Sequence, residues 1–409
     1  MERTDWKHTF RLNFMALKIL GLWPPGQGAY GYNLYTLYAY SALIILQVCH
    51  VFFQTVNLYF IMDDLQSVTG TIFILLSKTA VALKSYYLMK NMKMLKHVMA
   101  TVDGDLFQPR NEEQNKLIQP AITAWKLTVG TFAGLAIACL FFWTFFPILD
   151  KTYKVYRLPF LAWYPYNYKT SPQYELTYLY QVLCTHFIAT TNVNIDGLIA
   201  ALNMFVAAQF EILCDDLRNF HQGDDENSRD VKEKLKTCIN HHREILKFAD
   251  HANKFYNWLL FVQFFVGGVS IGLAIYALIK VIPFSSEFFS LVTYANAILV
   301  EVFMYCWFGN DIEFKSSKLS YAIFESDWTG LSTEVKKDMI ILVLRMQRSL
   351  QISALGLFYL NLDTFVRILR TAWSYFALLR QTEITCTILE RRILKSILFR
   401  CGSLEVCLG

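Results

Sequence analysis

The chain has 409 residues, of which 55% are hydrophobic and 16% aromatic, and its charged share of 17% is well below the roughly 25% usual for a soluble domain. Its net charge of +5 is small and spread over connecting segments, which argues against a nucleic-acid surface and leaves a multi-span membrane protein as the natural class.

From Trp6 to Leu22 apolar residues recur at helical spacing and stop at Gly21-Leu22-Trp23-Pro24-Pro25-Gly26, the pattern of an interfacial helix ended by a turn. About 20 helical residues cross the hydrocarbon core. Gly31 to Met62, Leu127 to Leu149, Leu176 to Ile195 and Phe255 to Ile279 meet that length without an Asp, Glu, Lys or Arg. Three further spans carry charge: Leu65 to Met89 holds Lys78 and Lys84, Phe288 to Gly309 holds Glu301, and the last holds Asp363, Arg367 and Arg370. Intramembrane charges are expensive unless paired or wetted, and the sequence does not say how Lys78, Lys84, Asp196 and Glu301 pair.

Between spans three and four, Pro159, Pro165 and Pro172 interleave with Tyr153, Tyr156, Phe160, Trp163, Tyr164, Tyr166 and Tyr168, which predicts an external aromatic lid over 150–175. After the acidic turn Gly223-Asp224-Asp225-Glu226, the residues Leu235, Ile239, Ile245, Leu246 and Phe248 give an amphipathic helix, so spans four and five extend beyond the bilayer. Val335, Met339, Leu342, Val343 and Met346 mark a second such helix, and together they predict a cytoplasmic assembly domain. The apolar pattern from Asp338 to Arg380 is about twice a bilayer crossing and must be two helices, with the break between Ser353 and Asn361 at Gly356 and Asn361. Its second piece, Leu362 to Leu379, puts Phe365, Ile368, Leu369, Ala372 and Phe376 on one face.

Lys and Arg flank the cytoplasmic ends of spans, and here they favour the side holding the N-terminus by better than two to one. The expected fold is therefore an all-α membrane protein of seven transmembrane helices, N-terminus cytoplasmic and C-terminus extracellular, which argues against a G-protein-coupled receptor. Its segments are 1–32 (cytoplasmic and interfacial), 33–212 (spans one to four), 213–254 (cytoplasmic extension), 255–309 (spans five and six), 310–352 (anchor helices), 353–381 (last helix) and 382–409 (tail).

Little chemistry is written in motifs. Neighbouring helical residues point about 100° apart, so His241-His242 does not converge on one ion. No CxxC pattern, HExxH, GxSxG, P-loop or paired catalytic carboxylates occur, so neither metal, cofactor nor enzymatic activity is expected. Cys49, Cys139, Cys184, Cys214, Cys238 and Cys306 read as small buried hydrophobes, and Cys386, Cys401 and Cys407 fall in the tail.

The C-terminal third resembles the insect odorant receptors. The resemblance is carried by Tyr305-Cys306-Trp307-Phe308-Gly309-Asn310, Ser316-Ser317, Ala322-Ile323-Phe324 and Trp328, then by Asn361-Leu362-Asp363-Thr364-Phe365 and Ile368-Leu369-Arg370-Thr371-Ala372-Trp373-Ser374-Tyr375-Phe376, ending at Leu378-Leu379-Arg380-Gln381. Weaker echoes at Gly21-Leu22-Trp23-Pro24, Leu158-Pro159-Phe160, Trp163-Tyr164-Pro165, Asp196 and His241-His242 extend it along nearly the whole chain. Two features depart from the family: the tail from Thr382 to Gly409, and Arg367 where a small residue is usual.

The resemblance implies a tuning subunit of a tetrameric, ligand-gated cation channel that combines with the co-receptor Orco in the plasma membrane of olfactory neuron dendrites and needs no G protein. It implies that the split last helix lines the pore, with a gate near Ile368 and Ala372, and that a volatile odorant binds among the external halves of spans two, three, four and six. The candidate contacts are Phe73 and Ser77; Ala136, Cys139 and Trp143, which share a face; Phe187 and Thr191; and Thr293 and Tyr294. Membrane lipid is the other expected partner. A gustatory-type channel of the same superfamily and a small-molecule transporter are the alternatives; a transporter should show broken helices in both halves, and only the C-terminal half has one.

Overall fold

The computed structural model describes residues 6–26, 28–63, 65–220 and 228–382. The acidic turn at 223–226 and the tail from 383, with Cys386, Cys401 and Cys407, lie outside the described residues. Helices account for nearly everything else. Two short ones, α1 (Trp6–Thr9) and α2 (Arg11–Ile19), precede α3 (Leu34–Phe60), α4 (Leu65–Lys90), α5 (Met92–Thr101), α6 (Glu112–Leu149), α7 (Gln173–Asn219), α8 (Ser228–Leu278), α9 (Ser286–Glu325) and α10 (Thr333–Met346). A two-strand hairpin, β1 (Ser353–Ala354) and β2 (Phe358–Tyr359), leads into α11 at 362–382. Among the described residues α3, α4, α6, α7, α8 and α9 are long and apolar enough to cross a membrane, and α11 makes the seventh span.

Side chains that satisfy the first free N–H groups mark where helices begin. Asn33 Oδ1 accepts from Thr36 N at 2.8 Å, Asn111 Oδ1 from Gln114 N at 2.7 Å, Ser285 Oγ from Phe288 N at 3.1 Å and Asn361 Oδ1 from Thr364 N at 2.9 Å. The break before α11 falls where the apolar run predicts it. Leu355 and Gly356 take positive φ values of 53° and 70° there, a turn that a continuing helix cannot contain.

At the centre stands α7, whose run from Ile195 to Ala208 is buried on every side by α6, α8 and α9. A helix covered all round, its Asp196 paired within the bundle, belongs inside rather than against lipid. The N-terminal helices pack onto it and onto α6: Trp6 meets Phe205 of α7 edge-on at 5.0 Å and Phe10 meets Trp125 of α6 at 5.5 Å, while Leu12, Met15 and Ile19 face outward as an interfacial helix requires.

Beyond the bundle, α7 and α8 run on as helices, and α10 buries Val335, Met339, Leu342 and Met346 against α9 and the α8 part of this extension. His241 is fixed inside it. Gln209 Nε2 donates to the Phe107 carbonyl, so its Oε1 accepts from His241 Nε2 at 3.0 Å, leaving Nδ1 bare 4.0 Å from Asp216 Oδ2. Burial, with help from the nearby Arg110 charge, lowers the His241 pKa to about 3 from an ordinary 6.5. The folded protein thus binds fewer protons here than the unfolded chain between those values, so stability is lost as pH falls below about 6.5. Asp216, whose carboxyl is pushed up chiefly by burial, acts in the opposite sense but in the carboxylate range. The detergent-solubilised protein is expected to melt at lower temperature at pH 5.5 than at 7.5, with a shallower slope in His241→Gln; equal slopes would refute this.

Candidate functional site

The half of the bundle beneath the loop 150–172 holds two adjoining spaces. The deeper one, about 110 Å³, lies among α4, α6, α7 and α9 and is lined by Ser77 and Lys78, by Phe132, Ala136, Cys139, Leu140 and Trp143, by Thr185, Ile188, Ala189 and Asn192, and by Tyr294, Ala297, Ile298 and Glu301. The outer one, about 630 Å³, is bounded by Gln54, Phe73, Arg157, Phe160, Tyr276 and Glu287 among others, and Ile74 and Trp143 belong to both walls. Trp143 is therefore the partition. Its ring contacts Tyr294 at 5.3 Å and Phe160 at 5.4 Å.

Phe160 comes from the predicted lid, which folds inward as a plug. Gln181 holds its backbone from both sides, accepting from Phe160 N through Oε1 and donating from Nε2 to Phe160 O, each at 3.0 Å. Leu158, Ala162, Tyr164 and Tyr174 make a small core of their own around this arm. Most polar atoms below are already engaged: Tyr294 and Ser77 share a 2.6 Å hydrogen bond, and Lys84 Nζ reaches Asp196 at 2.7 Å, Asn192 at 2.9 Å and Glu301 at 3.2 Å. What remains is a small chamber with mostly apolar walls, suited to holding an apolar molecule by shape and dispersion.

The 7tm Odorant receptor family model matches residues 64–373. The chain belongs to the insect odorant receptor family. It is 22% identical to Odorant receptor Or1 of Anopheles gambiae, with 93% of this chain and 96% of that one covered, and 23% identical to Odorant receptor 46a, isoform A, of Drosophila melanogaster, with 90% and 96% covered. Its fold superposes on the olfactory receptor OR5 of Machilis hrabei, solved in complex with eugenol, with a TM-score of 0.81 at 17% identity, covering 92% of this chain and all of that one.

Within this odorant receptor the expected contacts divide. Ser77, Ala136, Cys139, Trp143 and Tyr294 line the deeper chamber, and Phe73 lines the outer one. Phe187, Thr191 and Thr293 line neither, and Thr293 Oγ1 is spent on the carbonyls of Phe289 and Ser290. The reason is angular. Asp196 and Glu301 both point inward to Lys84, and positions 4, 7, 8 and 11 before Asp196 share its face, namely Asn192, Ala189, Ile188 and Thr185, whereas Phe187 lies opposite. Likewise Ile298, Ala297 and Tyr294 share the Glu301 face; Thr293, about 80° off it as Ile188 is on α7, sits at the edge of that face and turns its hydroxyl back to the main chain. Counting back from the intramembrane acids was the signal that would have found Thr185 and Ile188.

Ile368 and Ala372, expected near the gate, lie on the inner face of α11. Both are covered, 8% and 1% exposed, and with Thr364 and Phe376 they form the face of α11 that packs into its own subunit. Gly268 and Gly272, four apart on α8, open a groove for them: a Cβ on Gly272 would lie 2.7 Å from the Ala372 carbonyl oxygen, and one on Gly268 3.6 Å from Ile368 Cγ2. The opposite face carries Val366, Arg370, Trp373 and Ala377, all exposed, and Arg367 pairs with Asp363 at 3.1 Å.

Proposed function

We propose that this receptor is an odorant-gated subunit of a non-selective cation channel, assembled as a heterotetramer with the olfactory co-receptor in the plasma membrane of sensory dendrites, with its N-terminus cytoplasmic. The observation that carries the reading is the chamber around Ala136, Cys139, Trp143 and Tyr294, separated from the outer space by Trp143, which Phe160 backs, and sized for a small volatile molecule. Assembly is supported by apolar surface that the isolated subunit leaves open, at Ile340, Ile341 and Leu344 on α10 and at Trp373 and Leu378 on α11. The pore wall is then the outward face of α11, and the segments 213–254 and 310–352 form the anchor that holds neighbouring subunits. In that arrangement Arg367 is neutralised by Asp363 and does not oppose cation flow.

Whole-cell current in heterologous cells, with G-protein signalling blocked, tests this. Fast cation current is expected from a panel of volatiles only when this chain and the co-receptor are expressed together. Equal current from this chain alone would remove the partner from the proposal, and silence from a surface-expressed pair across the panel would overturn it.

A further inference from the structure

The deeper chamber contains a cation that no carboxylate claims. Among the described residues, Lys78 Nζ has no acidic oxygen within 4.0 Å; its contacts are His50 Nε2 at 2.9 Å and the face of Phe160, 3.6 Å from the ring centroid. An ammonium group has three N–H donors in fixed directions. The first is taken by the imidazole, which must carry its own proton on Nδ1, and the aromatic face receives the second. The third has no protein acceptor, and Lys78 is 4% exposed and lines the chamber.

A second group in the same wall is also unsatisfied. Thr185 Oγ1 is buried without a hydrogen-bond partner, although Thr79, Thr128 and Thr131 on neighbouring spans all donate to the carbonyl four residues back. Thr185 is 5% exposed and lines the chamber. A buried donor left unsatisfied is costly, a charged one more so, and a ligand that satisfies both gains affinity that an apolar one does not. The sign of the ligand follows from charge balance: Lys78 and Lys84 together match Asp196 and Glu301, so a neutral acceptor completes the site where an anion would leave the bundle with an excess charge.

We infer that the ligand carries a neutral carbonyl oxygen, as a short ketone, aldehyde or ester does, accepting from Lys78 Nζ with Thr185 Oγ1 as the second donor, its hydrocarbon lying against Ala136, Cys139, Leu140 and Ile188. This rests on the odorant-chamber reading and narrows it to a chemical class. The chamber, about 110 Å³, is smaller than the roughly 150 Å³ cavity that admits benzene, so the chain is short, and longer members must displace Trp143 toward the outer space.

The test is a panel of four- to seven-carbon ketones, aldehydes and esters matched with alkenes in which a methylene replaces the carbonyl oxygen, such as 2-pentanone against 2-methyl-1-pentene. Each is applied to cells expressing the co-receptor with the wild-type receptor, Lys78→Met or Thr185→Val, with surface protein measured. Carbonyl compounds should activate the wild type at concentrations at least tenfold lower than their alkene partners. Thr185→Val, a near-isosteric change, should erode that preference about threefold or more, and Lys78→Met should abolish it while alkene responses persist. Equal potency of matched pairs in the wild type, or an unchanged preference in surface-expressed variants, overturns the carbonyl assignment and leaves the chamber standing. A wild type silent to both arms strikes the chamber reading itself, and the carbonyl assignment falls with it.

Discussion

Lys84→Met is expected to reduce the receptor at the cell surface to a small fraction of the wild-type level. Lys84 Nζ is the common donor for Asp196 on α7 and Glu301 on α9, with all three side chains at most 3% exposed. Methionine approximates the length of the lysine stem but removes the one cation that, among the described residues, reaches both acids, so two carboxylates face each other in a medium that hydrates neither. Breaking a buried ion pair by deleting one partner costs about 3–5 kcal/mol, against about 5–15 kcal/mol of stability for a typical domain. Removing the acids together with the base should reverse the loss: Lys84→Met with Asp196→Asn and Glu301→Gln leaves neutral amides able to hydrogen-bond one another. Surface biotinylation reads both variants. Wild-type surface levels for Lys84→Met alone, or no recovery in the triple variant, would remove the cluster as the reason three spans stay together.

Gly309→Ala is expected to reach the surface and yet to lower odorant-evoked current by at least tenfold. A Cβ at this position would lie 2.2 Å from Leu360 Cβ and 2.4 Å from the Leu360 carbonyl oxygen, so the obstruction is partly main chain and no side-chain rotation clears it. Leu360 is 2% exposed and is tied by its N–H to the Ile352 carbonyl at 2.9 Å, which makes it the last rigid point before α11 begins. Overpacking of this kind costs about 1–3 kcal/mol, which most membrane bundles survive; the hairpin must move instead, and α11 moves with it. Paired current and surface measurements separate the two effects. Normal current per surface receptor would show that the hairpin can shift without disturbing the pore.

These two positions also show what the sequence could and could not disclose. Gly309 stands inside the block that carries the family resemblance, and neighbours in that block have equally local reasons: Ser316 Oγ accepts from Leu350 N at 3.0 Å, and Asn361 caps α11. Such contacts are made by short segments near each other along the chain, and their residue types advertise them. The span lengths, the extension of α7 and α8 past the membrane and the break before α11 are legible for the same reason, being properties of periodicity and length. Pairing among Lys84, Asp196 and Glu301 joins helices up to 217 positions apart, and no local pattern encodes it. The chamber lining was half legible: on α6 the spacing of Ala136, Cys139 and Trp143 selects the chamber face, whereas on α7 that face is set by the contact of Asp196 with Lys84, 112 positions away, and Phe187 falls on the far side. The placing of Ile368 and Ala372 turned on Gly268 and Gly272, whose missing side chains draw one helix close but do not name which.

One helix links all of these regions. With 51 residues and no break, α8 is a stiff rod about 77 Å long. About two-thirds of the way along it Gln263 borders the chamber, a little farther on Gly268 and Gly272 cradle α11, and toward its start His242 and Leu246 share a groove with Leu342 and Arg345 of α10. Three tasks hang on a single lever. A tilt of about 5° at Gln263 swings the His242 end by roughly 3 Å, so the cavity, α11 and the groove between α8 and α10 have one mechanical degree of freedom in common, and none of them can be displaced by that motion without the other two recording it.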